Sequence, residues 1–345
     1  MPRYALLLRA SANRVYGAAA LDLARAEVAT LDRGVLGGVV ESTRRESLGG
    51  VGYLVLDTTA DLAGMALQAL SNLSSMHALF GIEGELLRPV SIAPRVVMDE
   101  DVTTIQRYSG KTNEAFTHLL VNVALAESGA LPRLLAGDRV TMLDPACGRG
   151  TSLNRAVVYG MDAHGIEVDQ RDVEAYTTFI LTWLKDKRLK HQLQQAKLRK
   201  GRDTPAHRIT VTYGRGRDRS THRVVDIIHD DTLGARTHLK TRSIDVLVCD
   251  LPYGVQHGAQ AGAAGWERGP AALLQGALPV WTELLRPGAA MALAWNRHTL
   301  DRSDLVALVA EAGLELRAAA DDGSFVHRVD RSITRDVLVA VRPRS

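Results

Sequence analysis

The stretch Val140-Thr-Met-Leu-Asp144-Pro-Ala-Cys-Gly148-Arg-Gly150-Thr-Ser-Leu153 decides how this chain is read. It reads as a short buried strand (Val140, Met142, Leu143), a tight glycine turn and the start of a helix. Gly148 and Gly150 can take a positive φ or let another molecule approach the backbone. The helix that follows presents free N–H groups at its first turn. Strand, glycine turn and helix in this order predict an α/β fold with a nucleotide-type cofactor site at the carboxyl end of a parallel sheet.

The spacing narrows the cofactor. A dinucleotide fingerprint needs a third glycine and a phosphate loop needs Gly-Lys-Ser/Thr, and neither is present. Asp144-Pro-Ala-Cys-Gly-Arg-Gly-Thr resembles instead the first motif of class I S-adenosylmethionine (SAM) methyltransferases, in the variant of enzymes that methylate exocyclic amines. The resemblance implies SAM as cofactor. Its methionine part would lie against Ala146, Cys147, Gly148, Gly150 and Thr151, with Asp144 near its ammonium.

A second signal is Ser243-Ile-Asp-Val-Leu-Val-Cys-Asp250-Leu251-Pro252-Tyr253-Gly254, an apolar strand ending in Asp-Leu-Pro-Tyr. This is similar to the Asp/Asn-Pro-Pro-Tyr/Phe motif of amine-directed methyltransferases. A nucleobase amine is a poor nucleophile because its lone pair is delocalised into the ring. Asp250 and a main-chain carbonyl, that of Leu251, can accept both amine hydrogens and stabilise positive charge growing on nitrogen. Pro252 stiffens the turn, and Tyr253 offers a ring face for a flipped-out base. Two departures stand out: Leu251 replaces the first proline of the commonest form, and Arg149 lies where a small residue is usual, free to face solvent or RNA.

Upstream, Tyr108-x-Gly110-x-Thr112 is followed by Asn122-x-Ala-Leu125, with Thr112 expected to cap a helix. In this order with the two motifs, the pattern is similar to the THUMP-domain tRNA guanine-N2 methyltransferases. It is close over 108–169 and 249–254, and rests on element order alone over 1–95. The family implies a class I (Rossmann-like) methyltransferase domain with a mostly parallel seven-stranded sheet, preceded by a small α+β RNA-binding domain. It also implies Thr112 beside the cofactor, Glu167 on the SAM ribose with Asp169 as fallback, and Asp231 on the adenine amine with Asp230 as alternative. The expected organisation is an α+β domain over 1–95, a linker over 96–110 and the methyltransferase domain over 111–345. The expected partner is tRNA or another structured RNA; whether a small activator protein is needed stays open.

Composition agrees with a globular protein: 46% of residues are hydrophobic and 23% charged, enough for a core in each of two domains. No apolar run approaches membrane-spanning length. The N-terminal apolar run is short and broken by Arg9, so a cytoplasmic protein is expected. Cys147 and Cys249 have no metal-ligand spacing and the histidines are scattered, so no metal is expected. The net charge is +3, but 185–223 holds thirteen Lys and Arg against three Asp and Glu, leaving the remainder acidic. That block, read as an insertion, suits a phosphate backbone. Periodicity predicts helices over 18–31, 62–80 and 170–200, and strands over 4–9, 39–44, 51–57, 208–213 and 223–228. The polar, basic run 325–332 is expected to border the site, and the Gly/Ala-rich 254–269 to be a loop after the catalytic motif. Three other readings stay open: a DNA amino-methyltransferase, a methyltransferase for a small molecule or protein amide, and a non-enzymatic RNA-binding protein.

Overall fold

The computed structural model describes residues 1–11, 13–198, 206–216, 218–252, 270–317 and 324–344. The N-terminal part contains β1 (Arg3–Leu8), α1 (Arg14–Leu31), β2 (Val40–Leu48), β3 (Val51–Thr58), α2 (Gly64–Leu70), β4 (Met76–Glu83) and β5 (Leu86–Val90). Its strands form one antiparallel sheet, ordered β2-β3-β1-β4-β5. Alternation along β1 sends Tyr4 and Leu6 to the main core and Ala5 to a small cluster with Tyr53 and Val55 on the other face. Asn13 starts α1 by accepting from the N–H groups of Val15 and Tyr16.

The helix expected over 62–80 is corrected: α2 ends at Leu70, and β4 and β5 follow. The apolar spacing is real, but the Ser71 and Asn72 side chains bond back to the carbonyls of Leu67 and Gln68 at its end. From Met76 the chain pairs with β1, Phe80 opposite Ala5. A ladder partner brought from the start of the chain outweighs local helix spacing.

The second part begins with α3 (Glu114–Ser128) and α4 (Ala130–Ala136). Then come β6 (Thr141–Asp144), α5 (Thr151–Tyr159), β7 (Asp162–Glu167), α6 (Gln170–Asp186), β8 (Lys190–Leu198), β9 (Ala206–Gly214), β10 (Arg223–His229) and β11 (Ile244–Asp250). It closes with α7 (Pro270–Leu284), β12 (Leu285–Asn296), α8 (Arg302–Glu311), β13 (Glu315–Leu316), β14 (His327–Arg328) and β15 (Thr334–Val341). The sheet runs β13-β15-β12-β11-β6-β7-β10-β9-β8, with β14 on β15. β10, β7, β6, β11 and β12 are parallel; β15 is antiparallel to β12. From β6 the chain winds one way to β7 and β10, then the other way to β11 and β12. This Rossmann-like α/β architecture puts a switch point between β6 and β11, where a crevice opens at the carboxyl ends.

The helix expected over 170–200 is also corrected. α6 stops at Asp186, Leu189 N–H closes back on Leu184 O, and 190–198 is the edge strand β8. β8 and β9 are an antiparallel hairpin that extends the sheet beyond β10. Lys185, Lys187 and Arg188 thus belong to a helix end, while Lys190 and Lys197 sit on a strand; 199–205 lies outside the described residues.

One face of the large sheet carries α3, α5 and α6 in a core continuous with the N-terminal part; the other carries α7 and α8. Buried polar groups tie the two parts. Glu27 of α1, with no exposed surface, accepts from Ser74 N at 3.0 Å and from Asn122 Nδ2 of α3 at 2.6 Å. The Tyr159 hydroxyl donates to Asn122 Oδ1 at 2.6 Å. Among the described residues, no single helix is long and apolar enough to cross a membrane.

Candidate active site

β6 delivers Asp144 to the crevice with 6% of its surface exposed. The carboxylate accepts from Ala146 N at 3.1 Å and from the Ser152 hydroxyl. Burial pushes its pKa up to about 7, against these hydrogen bonds. Gly148 (φ +50) and Gly150 (φ +74) both adopt the left-handed region, so a β-carbon is strained at either. They differ in surroundings. A β-carbon on Gly150 would fall 2.4 Å from the Tyr176 ring, while one on Gly148 would meet nothing within 4 Å. Gly150 therefore packs the turn inward, and Gly148 presents open backbone to the crevice.

β7 buttresses this turn. Cys147 N–H donates to Ile166 O at 3.0 Å, and Gly148 N–H to Glu167 Oε2 at 2.8 Å. Glu167 also accepts from Asp169 N at 2.8 Å, and burial raises its pKa. Asp169 itself caps α6 by accepting from Arg171 N. Asp231 accepts from Leu233 N at 2.9 Å, capping the turn Thr232–Thr237, whereas Asp230 bonds His238 at 2.5 Å. Thr151 is buried and shares a 3.0 Å hydrogen bond with the Tyr108 hydroxyl. Arg149, expected to face solvent or RNA, keeps part of its side chain exposed while it pairs with Asp172 at 2.8 Å and lies 5.0 Å above the Tyr108 ring. Asp144, Ala146, Cys147, Gly148, Gly150, Thr151 and Glu167 thus surround one turn. Asp230 N–H donates to Glu167 O at 3.1 Å, which brings the end of β10 alongside.

Two strands meet at the switch point, and β11 brings Asp250 to the same end. Its Oδ2 accepts from Thr112 Oγ1 at 2.8 Å and from Arg335 Nη2 at 3.1 Å. The expected helix cap at Thr112 is corrected: Asn113 accepts from Ala115 N and Phe116 N, and the Thr112 hydroxyl is turned to Asp250. Arg335 is 4% exposed and its guanidinium stacks 4.4 Å above the Phe116 ring. Leu251 is buried, and its N–H donates to Ala294 O at 2.8 Å. A proline there has no N–H to give, so the departure from the commoner motif adds a bond that anchors the end of β11. Pro252 follows, half-buried; Tyr253 and 254–269 lie outside the described residues.

Arg335 was not foreseen. The signal was faint: Arg335-Asp336 stand at the head of an apolar strand, and both are buried, Asp336 paired with Arg302 at 2.7 Å. The run 325–332 does border the site. His327 is buried with its ring 5.0 Å from Phe116 and 5.9 Å from Tyr16 of α1. Burial lowers its pKa to about 4, so it is neutral at pH 7.

The open backbone of Gly148, between the buried carboxylate of Asp144 and the half-buried one of Glu167 on neighbouring strands, fits a ligand that carries a cation and hydroxyls. Among the described residues, no group of three or more His, Cys, Asp or Glu is placed to hold a metal ion.

No family model and no curated protein matches the sequence. Similar solved structures include TrmN from Thermus thermophilus, at 15% identity and a TM-score of 0.41, covering 87% of this chain and 59% of that one. This chain therefore spans less than two thirds of the Thermus protein. A TehB-like SAM-dependent methyltransferase from Corynebacterium glutamicum is 14% identical with a TM-score of 0.34, covering 62% and 86%. An rRNA methylase from Streptococcus thermophilus is 10% identical with a TM-score of 0.34, covering 63% and 96%.

Proposed function

We propose that the chain is a SAM-dependent methyltransferase acting on the exocyclic amine of a nucleobase in RNA, guanine N2 of tRNA above all. One observation carries this: Asp250, held by Thr112 and Arg335, stands at the end of β11, next to the strand that bears the glycine turn. A bound SAM would supply an electrophilic methyl group on its sulfonium.

In this reading Gly148 exposes its backbone to the methionine part, Asp144 faces the ammonium, Glu167 the ribose hydroxyls and Asp231 the adenine amine. Asp250 and the carbonyl of Leu251 accept the two hydrogens of the acceptor amine. That turns the nitrogen lone pair toward the methyl carbon, and a carbon–nitrogen bond forms as the carbon–sulfur bond breaks. Arg335 and Thr112 hold the Asp250 carboxylate fixed in direction, so it is aimed before positive charge develops. The role of Asp250 is orientation and electrostatic stabilisation, and the surplus proton leaves to water. Tyr253 supplies the stacking face for the base. The N-terminal sheet and the β8–β9 hairpin are the proposed RNA-holding surfaces, and phosphate contacts there position without specifying.

The test uses SAM labelled in its methyl group with unmodified tRNA, total rRNA and DNA, followed by nucleoside mass spectrometry. Label in N2-methylguanosine from tRNA is the expected result. Label in another base keeps the chemistry and moves the substrate. SAM binding without label in any nucleic acid overturns the RNA assignment.

A further inference from the structure

The basic residues of 185–223 do not form one patch. β8 and β9 run the length of the sheet, so Lys197 and His207 lie at the carboxyl end of β10, and Lys190 and Gly214 at its amino end. The two ends are separated by the seven residues of β10, roughly 20 Å. At the amino end, Lys187, Arg188, Lys190 and Arg215 line a cleft of about 400 Å³ with the main chain of Gly214 and Gly216. One carboxylate, Asp99 of the linker, lines it too, reaching Lys187 at 2.9 Å and Arg215 at 3.4 Å. Lys187 also pairs with Asp101 at 2.6 Å. Arg188 and Lys190 are exposed, with no ion-pair partner among the described residues. Four cations against the paired carboxylates of Asp99 and Asp101 leave the cleft positive.

Arg188 supplies an independent observation. Its φ is +53, and it directly follows the capped end of α6. Glycine is the residue that fits such a left-handed cap without strain. A guanidinium is thus retained at a strained position, on a cleft already rich in cations. Strain of this kind collects where a side chain has work to do.

From these observations we infer a second RNA-backbone site: the cleft at the foot of the β8–β9 hairpin grips a phosphodiester, at the opposite end of the sheet from the acceptor and five strands across from β11. The inference rests on the RNA reading of the active site and adds where the nucleic acid is held. Arg188, Lys190 and Arg215 are exposed, so the cleft is a surface grip, suited to a polymer crossing it. It lies beside the linker that follows the N-terminal sheet, through Asp99. Such a contact adds affinity and register and carries no base information.

The test compares the full chain with Arg188→Gly, Lys190→Ala and the double variant. Binding of unmodified tRNA is measured across a salt series, beside SAM affinity, turnover and thermal unfolding. Each lost cation is expected to weaken RNA binding about fivefold at near-physiological salt and to flatten the log–log salt slope by about one. SAM affinity and kcat at saturating RNA stay unchanged, and KM for RNA rises. Arg188→Gly, which relieves the strained cap, unfolds at no lower temperature than the parent. If the parent binds RNA with a steep salt slope and the double variant matches it, the cleft assignment fails alone. A lower unfolding temperature of Arg188→Gly with unchanged RNA binding makes Arg188 structural and also overturns it. If the parent shows no salt-dependent RNA binding, the RNA reading fails and takes the cleft with it.

Discussion

The glycine turn after β6 and the carboxylate after β11 sit on neighbouring strands yet are built in opposite ways. The turn is local. Asp144, Gly148, Gly150 and Ser152 lie within nine consecutive residues, and positive φ at two glycines makes its shape. The Asp250 site is assembled at long range: Thr112 comes from 138 residues upstream and Arg335 from 85 downstream. In the proposed reading, a cofactor cradle can be written as a short motif because main-chain groups would do the holding. An acceptor site must aim one charged group, and the partners that aim it are delivered by the sheet.

The sharpest test of this contrast is Asp250→Ala. Methyl transfer is expected to fall by about a thousandfold or more, with SAM affinity within about twofold of the parent. Retained turnover would sink the role given to Asp250, and loss of SAM binding would mean the two regions are not separable. Arg335→Ala comes next, with an expected loss of about a hundredfold in kcat. Leaving Asp250 without its cation also costs stability, about 3 kcal/mol, read by denaturant titration. Arg335→Lys restores part of the rate if charge is what matters; equal loss in both variants points to the stacked fork on Phe116.

Within the turn, the two glycines should separate packing from binding. Gly150→Ala drives a methyl into the Tyr176 ring at a positive φ and is expected to cost about 3 kcal/mol of stability. Gly148→Ala meets no neighbour, so it should cost about 1 kcal/mol while weakening SAM binding about tenfold or more. Calorimetry and thermal unfolding on both variants decide; equal stability losses would erase the distinction.

The most gradual effect is on pH. Burial raises Asp144 and Glu27 to about 7 each. Between their unfolded pKa near 4 and about 7, the folded chain holds protons that the unfolded chain releases. Ligand-free stability is therefore expected to fall as pH rises through this window, and to level off above it. SAM binding works the other way at Asp144, because the ligand's ammonium favours the carboxylate. Affinity should rise by up to tenfold per pH unit up to about 7, with proton release on binding. Asp144→Asn should flatten the profile; an unchanged profile would move the titration elsewhere.

The sheet was legible in short apolar runs flanked by turn residues. β6, β9, β10 and β11 appear where alternation or burial predicted strands. The two long helices were over-read for one reason: apolar spacing at three and four continues past Leu70, and helix-favouring residues continue past Asp186. What ended them was a pairing partner, β1 for β4 and β9 for β8. The N-terminal part packs its α1 on α3 through Glu27 and Asn122, a contact with no local signature.

By itself, the sequence determined the α/β class, the glycine turn with its acids Asp144 and Glu167, and the placing of Asp250 at a strand end, because these depend on backbone preferences and on burial of short apolar runs. Only the tertiary structure decided that Thr112 faces Asp250 instead of capping a helix, that buried Arg335 aims that carboxylate, and that the basic block divides between two ends of a sheet. Those facts depend on which strands become neighbours, and the energy that selects neighbours is spread over the whole core instead of residing in any one stretch of chain.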